Sequence, residues 1–212
     1  MTESPRAPAR IAVVDDNAAL RESLSWLLES VGLTPLPYAD GEAFLDAGPE
    51  AHDLVLLDVR MPGLSGLQVQ QRLVERGDAS PVIFMTGHGD VPMAVTALKA
   101  GAFDFVEKPF NHQQLIDLVQ QALAEHGRRR RERERLDALR ERFDALRPKE
   151  REILVLVAEG LTSRAIAERL DISAKTVEIY RLRAMKALGA ANLAELVRMV
   201  TALGLVPPLP DA

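Results

Sequence analysis

The chain has 212 residues, of which 27% are charged and 47% hydrophobic, and its formal net charge is −5. This length allows two domains that each bury a core, and the composition is typical of globular rather than disordered or fibrous proteins. Because the sequence contains no cysteine, disulfides and thiolate metal sites are excluded. We find no apolar stretch in the first ten residues and no candidate membrane span, and we therefore expect a cytoplasmic protein.

The charge is unevenly distributed along the chain. Residues 1–127 carry 8 Lys and Arg against 18 Asp and Glu, a net charge of −10, whereas residues 128–146 carry +3 and residues 147–212 carry +2. This asymmetry indicates that only the later part of the chain meets a polyanion. The positive excess is small, so charge alone is weak evidence for such a partner.

Strands and helices are predicted to alternate in the first part of the chain. Four short apolar segments, beginning at Ile11, Asp53, Pro81 and Phe103, are typical of strands buried on both faces of a parallel sheet. A fifth strand over residues 33–38 contains two prolines, which favour a position near the sheet edge. Five strands that alternate with helices indicate a doubly wound parallel α/β sheet. The helices are predicted over residues 18–31, 40–47, 66–75 and 90–100.

Polar side chains follow four of these strands, at the carboxyl ends where open α/β sheets bind their ligands. Clustered carboxylates repel one another unless a hard cation lies among them, and an all-oxygen site suits Mg²⁺. Asp58 could then be a carboxylate nucleophile for a phosphoryl group whose oxygens Thr86 and Lys108 hold. A single strand-end Asp is ordinarily a solvated loop residue, but the whole set favours such a site. The set comprises Asp15, Asp16, Asp58, Thr86 and Lys108.

A long helical segment is predicted to begin after Asn111. Its apolar positions keep one heptad frame from Leu115 to Leu146, but the charged residues 128–135 could form a solvated helix or a flexible hinge. The apolar stripe that follows favours a short parallel coiled coil between two subunits. This stripe consists of Leu136, Leu139, Phe143 and Leu146.

Four short helices are predicted after residue 147. The second and third are joined by a tight turn over residues 171–174, which is the helix-turn-helix pattern. The third has an apolar stripe from Val177 to Leu188, and its other side offers cations for phosphates and other groups for base edges. A four-helix bundle that binds protein fits this spacing equally well. The candidate DNA-contacting residues are Lys175, Thr176, Glu178, Ile179, Arg181, Leu182, Arg183 and Lys186.

The motifs VVDD, LLDVRMPGLSG, FMTGHGD and DFVEKPF resemble the receiver domain of bacterial two-component response regulators over residues 10–123. The resemblance implies a flavodoxin-like fold and phosphorylation of Asp58 by a sensor histidine kinase. It also implies that Asp15, Asp16, Asp58 and the backbone carbonyl of Arg60 hold Mg²⁺.

The same resemblance assigns a response to the phosphorylated state. It implies that Thr86 and Lys108 bind the acyl phosphate, and that Phe105 is an aromatic switch that turns inward when the threonine moves. Receiver domains that have changed in this way are expected to pair.

The segment from PKEREILVLVAEGL to NLAELVR resembles the LuxR-type DNA-binding domain, and the whole chain is similar to the FixJ-like subgroup of NarL/FixJ regulators. The resemblance implies a receiver domain over residues 1–124, a helical, possibly coiled-coil linker over 125–146 and a helix-turn-helix domain over 147–212. It implies a transcriptional regulator that is activated by phosphorylation, forms a homodimer, binds a palindromic promoter site in double-stranded DNA and contacts RNA polymerase.

Two departures from the LuxR-type pattern concern the helix starts. Arg147 stands where a Thr or Ser commonly precedes the proline of the first helix, so we expect that N-cap bond to be missing. The pair Ser163-Arg164 replaces the usual Asn-Lys pair of the second helix.

Two other functions fit part of the pattern. A phosphohydrolase similar to the haloacid dehalogenase phosphatases would carry a second acid two residues after Asp58, where this chain has Arg60. A signalling module whose last domain binds protein or RNA would share the receiver motifs. We expect no enzyme activity beyond the receiver's own phosphoryl transfer and dephosphorylation.

Overall fold

The computed structural model describes residues 8–48, 51–87 and 98–206. Two compact units make up the chain, Met1–Arg128 and Arg129–Ala212. The first combines a sheet with helices, and in its described residues the second contains helices alone. No helix among the described residues has both the length and the apolar character that crossing a lipid bilayer requires.

Five parallel strands form the sheet of the first unit, in the order β2-β1-β3-β4-β5. This order is the doubly wound arrangement that the sequence predicts, and it places the strand with two prolines at an edge, where a missing N–H costs little. The strands are β1 (Arg10–Val14), β2 (Thr34–Tyr38), β3 (Leu54–Asp58), β4 (Val82–Thr86) and β5 (Asp104–Glu107).

Helices cover both faces of this sheet. Successive side chains of a strand point to opposite faces, so Ile11 and Val13 enter one core while Ala12 and Val14 enter the other. The first core includes residues of α1 and α4, and the second includes residues of α2 and α3. The central strands β3 and β4 are therefore buried along their whole length. The helices are α1 (Ala18–Ser30), α2 (Gly41–Asp46), α3 (Gly66–Glu75) and α4 (His112–Asp144).

The helix starts follow from side-chain capping. The side chains of Asn17, Asp40 and Ser65 each accept a hydrogen bond from a backbone N–H in the first turn of the helix that follows. Asn111 does the same for α4, which continues without a break through the charged residues 128–135. The helix predicted over residues 90–100 lies largely outside the described residues, where only its end at Leu98 and Lys99 is seen to be helical.

The second unit packs four short helices on the last part of α4. Thr162, Ser173 and Asn192 cap the second, third and fourth of them. The first begins at Pro148, and the Arg147 side chain makes no cap bond. The Glu150 carboxylate instead accepts the Arg147 backbone N–H at 3.1 Å. These helices are α5 (Pro148–Ala158), α6 (Ser163–Leu170), α7 (Ala174–Leu188) and α8 (Leu193–Ala202).

The apolar stripe in the last part of α4 packs within its own unit. Leu139, Phe143 and Leu146 are buried in the core of the second unit, and Leu136 is partly buried. These residues therefore contribute to the core of the helix-turn-helix unit, and pairing of the linker between two subunits stays a prediction. A heptad stripe and a stripe that faces the helix's own domain have nearly the same spacing over four positions, so the sequence did not distinguish them.

Candidate functional site

The sheet brings the predicted polar side chains to one edge. Asp58 is the last residue of β3 and Thr86 the last of β4, while Asp15 and Lys108 directly follow β1 and β5. Asp15 is fully buried and Asp58 is 7% exposed. Parallel strands end at the same edge, so residues far apart in sequence meet there.

Lys108 connects two of the acids. Its Nζ donates hydrogen bonds to Asp15 Oδ2 and to Asp58 Oδ1, each over 2.7 Å. Its backbone N–H donates to the carbonyl oxygen of Thr86 over 2.6 Å. The side chain and the backbone of Lys108 thus link the ends of three other strands.

Burial and charge shift the pKa values in this cluster. Burial raises the pKa of the Asp58 carboxyl above its ordinary value; Lys108 opposes this effect, whereas the carboxylates of Asp15 and Asp16 add to it. Burial lowers the pKa of the Lys108 ammonium, but its bonds to Asp15 and Asp58 outweigh that effect and raise the pKa overall. The pocket therefore concentrates negative charge that one ammonium only partly compensates.

The three carboxylates have a geometry that suits a cation. One oxygen from each of Asp15, Asp16 and Asp58 can be chosen so that all three lie within 4.8 Å of one another. Asp16 is exposed to solvent, which leaves open positions beside the buried acids. Oxygen ligands with open positions fit Mg²⁺, which usually keeps several waters when a protein binds it.

Thr86 and Phe105 lie on neighbouring strands. The Thr86 side chain is buried, and its Oγ1 donates to the Gly87 carbonyl oxygen over 3.3 Å. Phe105 is half-buried in β5 and packs against the core on the α2 and α3 side of the sheet. Both predicted response residues thus lie in the strands that end at the acidic site.

Sequence reasoning missed one residue that shapes this site. A Cβ added to Gly66, the first residue of α3, would lie 2.2 Å from the backbone oxygen of Asp58 and 3.0 Å from the Phe84 ring. The Gly66 N–H also donates to the Val59 carbonyl oxygen over 3.0 Å. Glycine is a poor helix former, so a glycine at a helix start was a usable signal of close backbone approach.

In the second unit, α7 has the two faces that the sequence predicts. Val177, Ala184 and Leu188 are buried in the core, and Tyr180 packs partly against it. The outward side exposes the cations Lys175, Arg183 and Lys186 together with Ile179 and Leu182.

Two of the predicted DNA-contacting residues are bonded to each other. Glu178 accepts hydrogen bonds from Ser163 Oγ on one carboxylate oxygen and from Arg181 over 2.8 Å on the other. Ser163 belongs to α6, so this carboxylate braces the two helices of the helix-turn-helix. No local sequence pattern indicates this bond, because it depends on where α6 and α7 cross.

Both units match family models. Residues 11–120 match the response regulator receiver domain, and residues 144–200 match the bacterial regulatory proteins of the luxR family. The second match begins at Asp144, in agreement with the helical end of α4 that packs into the second unit.

Curated relatives match over nearly the full length of the chain. The transcriptional regulatory protein FixJ of Azorhizobium caulinodans is 44% identical over 93% of this chain and 94% of that protein. The C4-dicarboxylate transport transcriptional regulatory protein DctR of Rhodobacter capsulatus is 45% identical over 89% of this chain and 98% of that protein.

Solved structures agree with these relatives. The response regulator StyR is 40% identical with a TM-score of 0.83, over 92% of this chain and 99% of that one. Full-length FixJ from B. japonicum is 39% identical with a TM-score of 0.59, over 93% of this chain and 98% of that one. The chain belongs to the NarL/FixJ family of response regulators, transcriptional regulators that join a receiver domain to a LuxR-type DNA-binding domain.

Proposed function

We propose that Asp58 is the residue that a sensor histidine kinase phosphorylates. The observation that carries this proposal is the position of its carboxylate, which ends β3 at the sheet edge with one oxygen bonded to Lys108. An Asp58 oxygen forms the new bond to phosphorus as the bond between phosphorus and the donor breaks. Lys108, already in place, then balances charge on the transferred oxygens. Catalysis by the chain is confined to this transfer and to the later dephosphorylation of Asp58.

The metal that we propose for this reaction is Mg²⁺, held by Asp15, Asp16, Asp58 and the backbone carbonyl of Arg60. Bound there, the ion would supply positive charge that lowers the repulsion between the acids and the incoming phosphoryl group. The close approach of the three carboxylates supports this assignment. Asp15 also accepts the Asn17 backbone N–H over 2.9 Å, which fixes one of its oxygens.

The response to phosphorylation involves Thr86 and Phe105. Thr86 turns its hydroxyl from the Gly87 carbonyl toward the phosphoryl oxygens, and Phe105 moves inward after it. The hydrogen bond between Thr86 and the Gly87 carbonyl is weak at 3.3 Å, so breaking it costs little free energy when the hydroxyl turns. The changed surface pairs two receiver domains, so that a local charge event determines whether a dimer forms.

The DNA-binding unit places α7 in the major groove. Exposed Lys175, Arg183 and Lys186 face phosphates or base edges, and Arg181 and Thr176 lie beside them. Glu178 holds Ser163 and Arg181 in position, a role that its two bonds support. A symmetric dimer requires a palindromic promoter site in double-stranded DNA. When the protein regulates transcription from that promoter, it contacts RNA polymerase. This regulation takes place in the cytoplasm.

The acceptor assignment is tested with Asp58→Asn. We expect acetyl phosphate with Mg²⁺ to label the wild-type chain and not this variant, because an amide cannot replace the attacking carboxylate. Phosphorylation is measured by intact-protein mass spectrometry and by a phosphate-retarding gel. Asp53→Asn is a matched control, since Asp53 directly precedes the same strand and bonds the Arg10 N–H instead. Full labelling of Asp58→Asn would place the acceptor elsewhere.

A further inference from the structure

The outward face of α7 carries two large apolar side chains that its own unit leaves uncovered. Leu182 is 62% exposed and Ile179 is 41% exposed. Water around such side chains is unfavourable, so a partner that covers them gains the hydrophobic stabilisation that folding has not used. Their position on the helix that also presents cations indicates what kind of partner this is.

Leu182 lies between two exposed cations along one line of the helix. It follows Lys175 by seven residues and precedes Lys186 by four, and both spacings keep side chains on the same side of an α-helix. Ile179 follows Lys175 by four residues and shares this line. A surface with cations at its ends and apolar groups between them complements the DNA major groove, which has phosphates at its rims and thymine methyl groups on its floor.

Two polar side chains of α7 are already bonded within the chain. Glu178 uses both carboxylate oxygens on Ser163 and Arg181. The Thr176 hydroxyl shares a 2.8 Å hydrogen bond with the Ser173 hydroxyl at the start of the helix. Glu178 and Thr176 could otherwise have formed hydrogen bonds with base edges, but their bonds within the chain hold α7 in place.

We propose that Leu182 and Ile179 determine sequence specificity by contacting the methyl groups of two thymines in the operator. The proposal rests on DNA binding by α7. Residues three apart are separated by about 4.5 Å along the helix axis, against about 3.4 Å between base pairs along a DNA strand. The two thymines are therefore one or two base pairs apart in each half-site.

The experiment removes single methyl groups from the DNA. The full chain, treated with acetyl phosphate and Mg²⁺, first selects its site from a random duplex library. Each thymine in one half-site is then replaced in turn by deoxyuridine, which lacks only the 5-methyl group. We expect wild-type affinity to fall roughly fourfold at two neighbouring positions, as for the loss of one buried methyl group.

Truncation of the side chains identifies which residue contacts which thymine. Leu182→Ala should bind the thymine site more weakly and lose its response to deoxyuridine at one of the two positions, and Ile179→Ala should lose its response at the other. Both side chains are exposed, so neither change should unfold the unit. Leu193→Ala is the matched control, because Leu193 is 51% exposed on α8, and its deoxyuridine responses should equal those of the wild type.

The outcomes separate this inference from the proposed function. If the wild type selects a site but Leu182→Ala and Ile179→Ala respond to every deoxyuridine as the wild type does, the methyl contacts are refuted and DNA binding stands. If the wild-type chain selects no duplex at all, DNA binding by α7 fails and the inference fails with it.

Discussion

Buried carboxylates in the first unit have different roles because they have different neighbours. Asp58 lies among other acids, and burial raises its pKa, so its charge is costly until a cation binds beside it. Asp78 lies outside this cluster; its Oδ2 is 3.3 Å from His52 Nε2, and both side chains are almost fully buried. Burial alone would raise the pKa of Asp78, but His52 and the Ser80 N–H lower it overall. Asp78 therefore contributes to stability rather than to chemistry.

This difference predicts a pH-dependent loss of stability in Asp78→Asn. Because the folded-state pKa of Asp78 is lowered, its contribution is present above its unfolded pKa of about 4 and is lost as the pH falls through the folded value. We expect the variant to lose about 1–3 kcal/mol of unfolding free energy at pH 7, and the difference from wild type to shrink below pH 4. Urea unfolding followed by the fluorescence of Trp26, the chain's one tryptophan, reports on the first unit. A difference that does not change with pH would contradict this account.

Gly66 is a second residue whose role depends on its neighbours. The added methyl group of Gly66→Ala would overlap the Asp58 backbone oxygen, so either the end of β3 or the start of α3 must move. We expect phosphorylation by acetyl phosphate to slow at least about tenfold, since misplacing a reacting group by about 1 Å can cost a hundredfold.

The control for this prediction lies on the same helix. Gln71→Ala removes an exposed side chain that bonds Glu75, and it should leave the phosphorylation rate unchanged. An unchanged rate in Gly66→Ala would show that the close approach does not set the position of the acceptor.

Among the elements, α4 shows what a pattern of apolar residues leaves undecided. Its apolar stripe predicts a face that packs against other helices, and in the structure those helices belong to the same chain. Phe143, for example, is 7% exposed in the core of the second unit. Removing the ring in Phe143→Ala should cost the second unit about 3–5 kcal/mol. Urea unfolding followed by circular dichroism should show this loss, while the Trp26 transition of the first unit stays in place.

An exposed residue of the same helix provides the control, and Glu141→Ala should leave both transitions unchanged. If Phe143→Ala instead reduced the dimer content in sedimentation and left the stability of the unit unchanged, the stripe would be an intermolecular seam after all.

Most of the elements were predictable because their causes are local. The continuous apolar run of β1, caps such as Ser173 and Asn192, and the prolines that favour an edge position for β2 are all visible within a few residues. The convergence of Asp15, Asp58 and Lys108 was also predictable, because parallel strands must end at the same edge. The bonds of Glu178 were not predictable, since they depend on how two helices cross, which no local pattern records.

At the scale of the whole molecule, the chain joins a unit that responds to phosphorylation to a unit that binds DNA. Phosphorylation of the first unit can affect DNA binding by the second only if it changes how many α7 helices contact the DNA at the same time. Pairing of receivers would do so, because it raises the effective concentration of the second α7 at its half-site.

This coupling predicts that acetyl phosphate with Mg²⁺ tightens binding to the selected site by roughly 5- to 150-fold, the usual range of coupling between sites. Fluorescence anisotropy measures the affinity, and sedimentation measures the stoichiometry of the complex. Asp58→Asn should bind like the untreated wild type under both conditions. Equal affinity and equal stoichiometry with and without phosphorylation would mean that the two units act independently.

The ends of three other strands meet at Lys108. Its ammonium has three protons to donate, and two already go to Asp15 and Asp58, while its backbone holds the carbonyl of Thr86. A doubly charged acyl phosphate at Asp58 would compete for those protons and draw the ammonium away from Asp15. Because the Lys108 backbone is hydrogen-bonded to Thr86 at the end of β4, this change in the bonds of its ammonium cannot remain confined to Asp58. Phosphorylation of Asp58 would therefore act through Lys108 on the end of β4 even before the Phe105 ring has rotated.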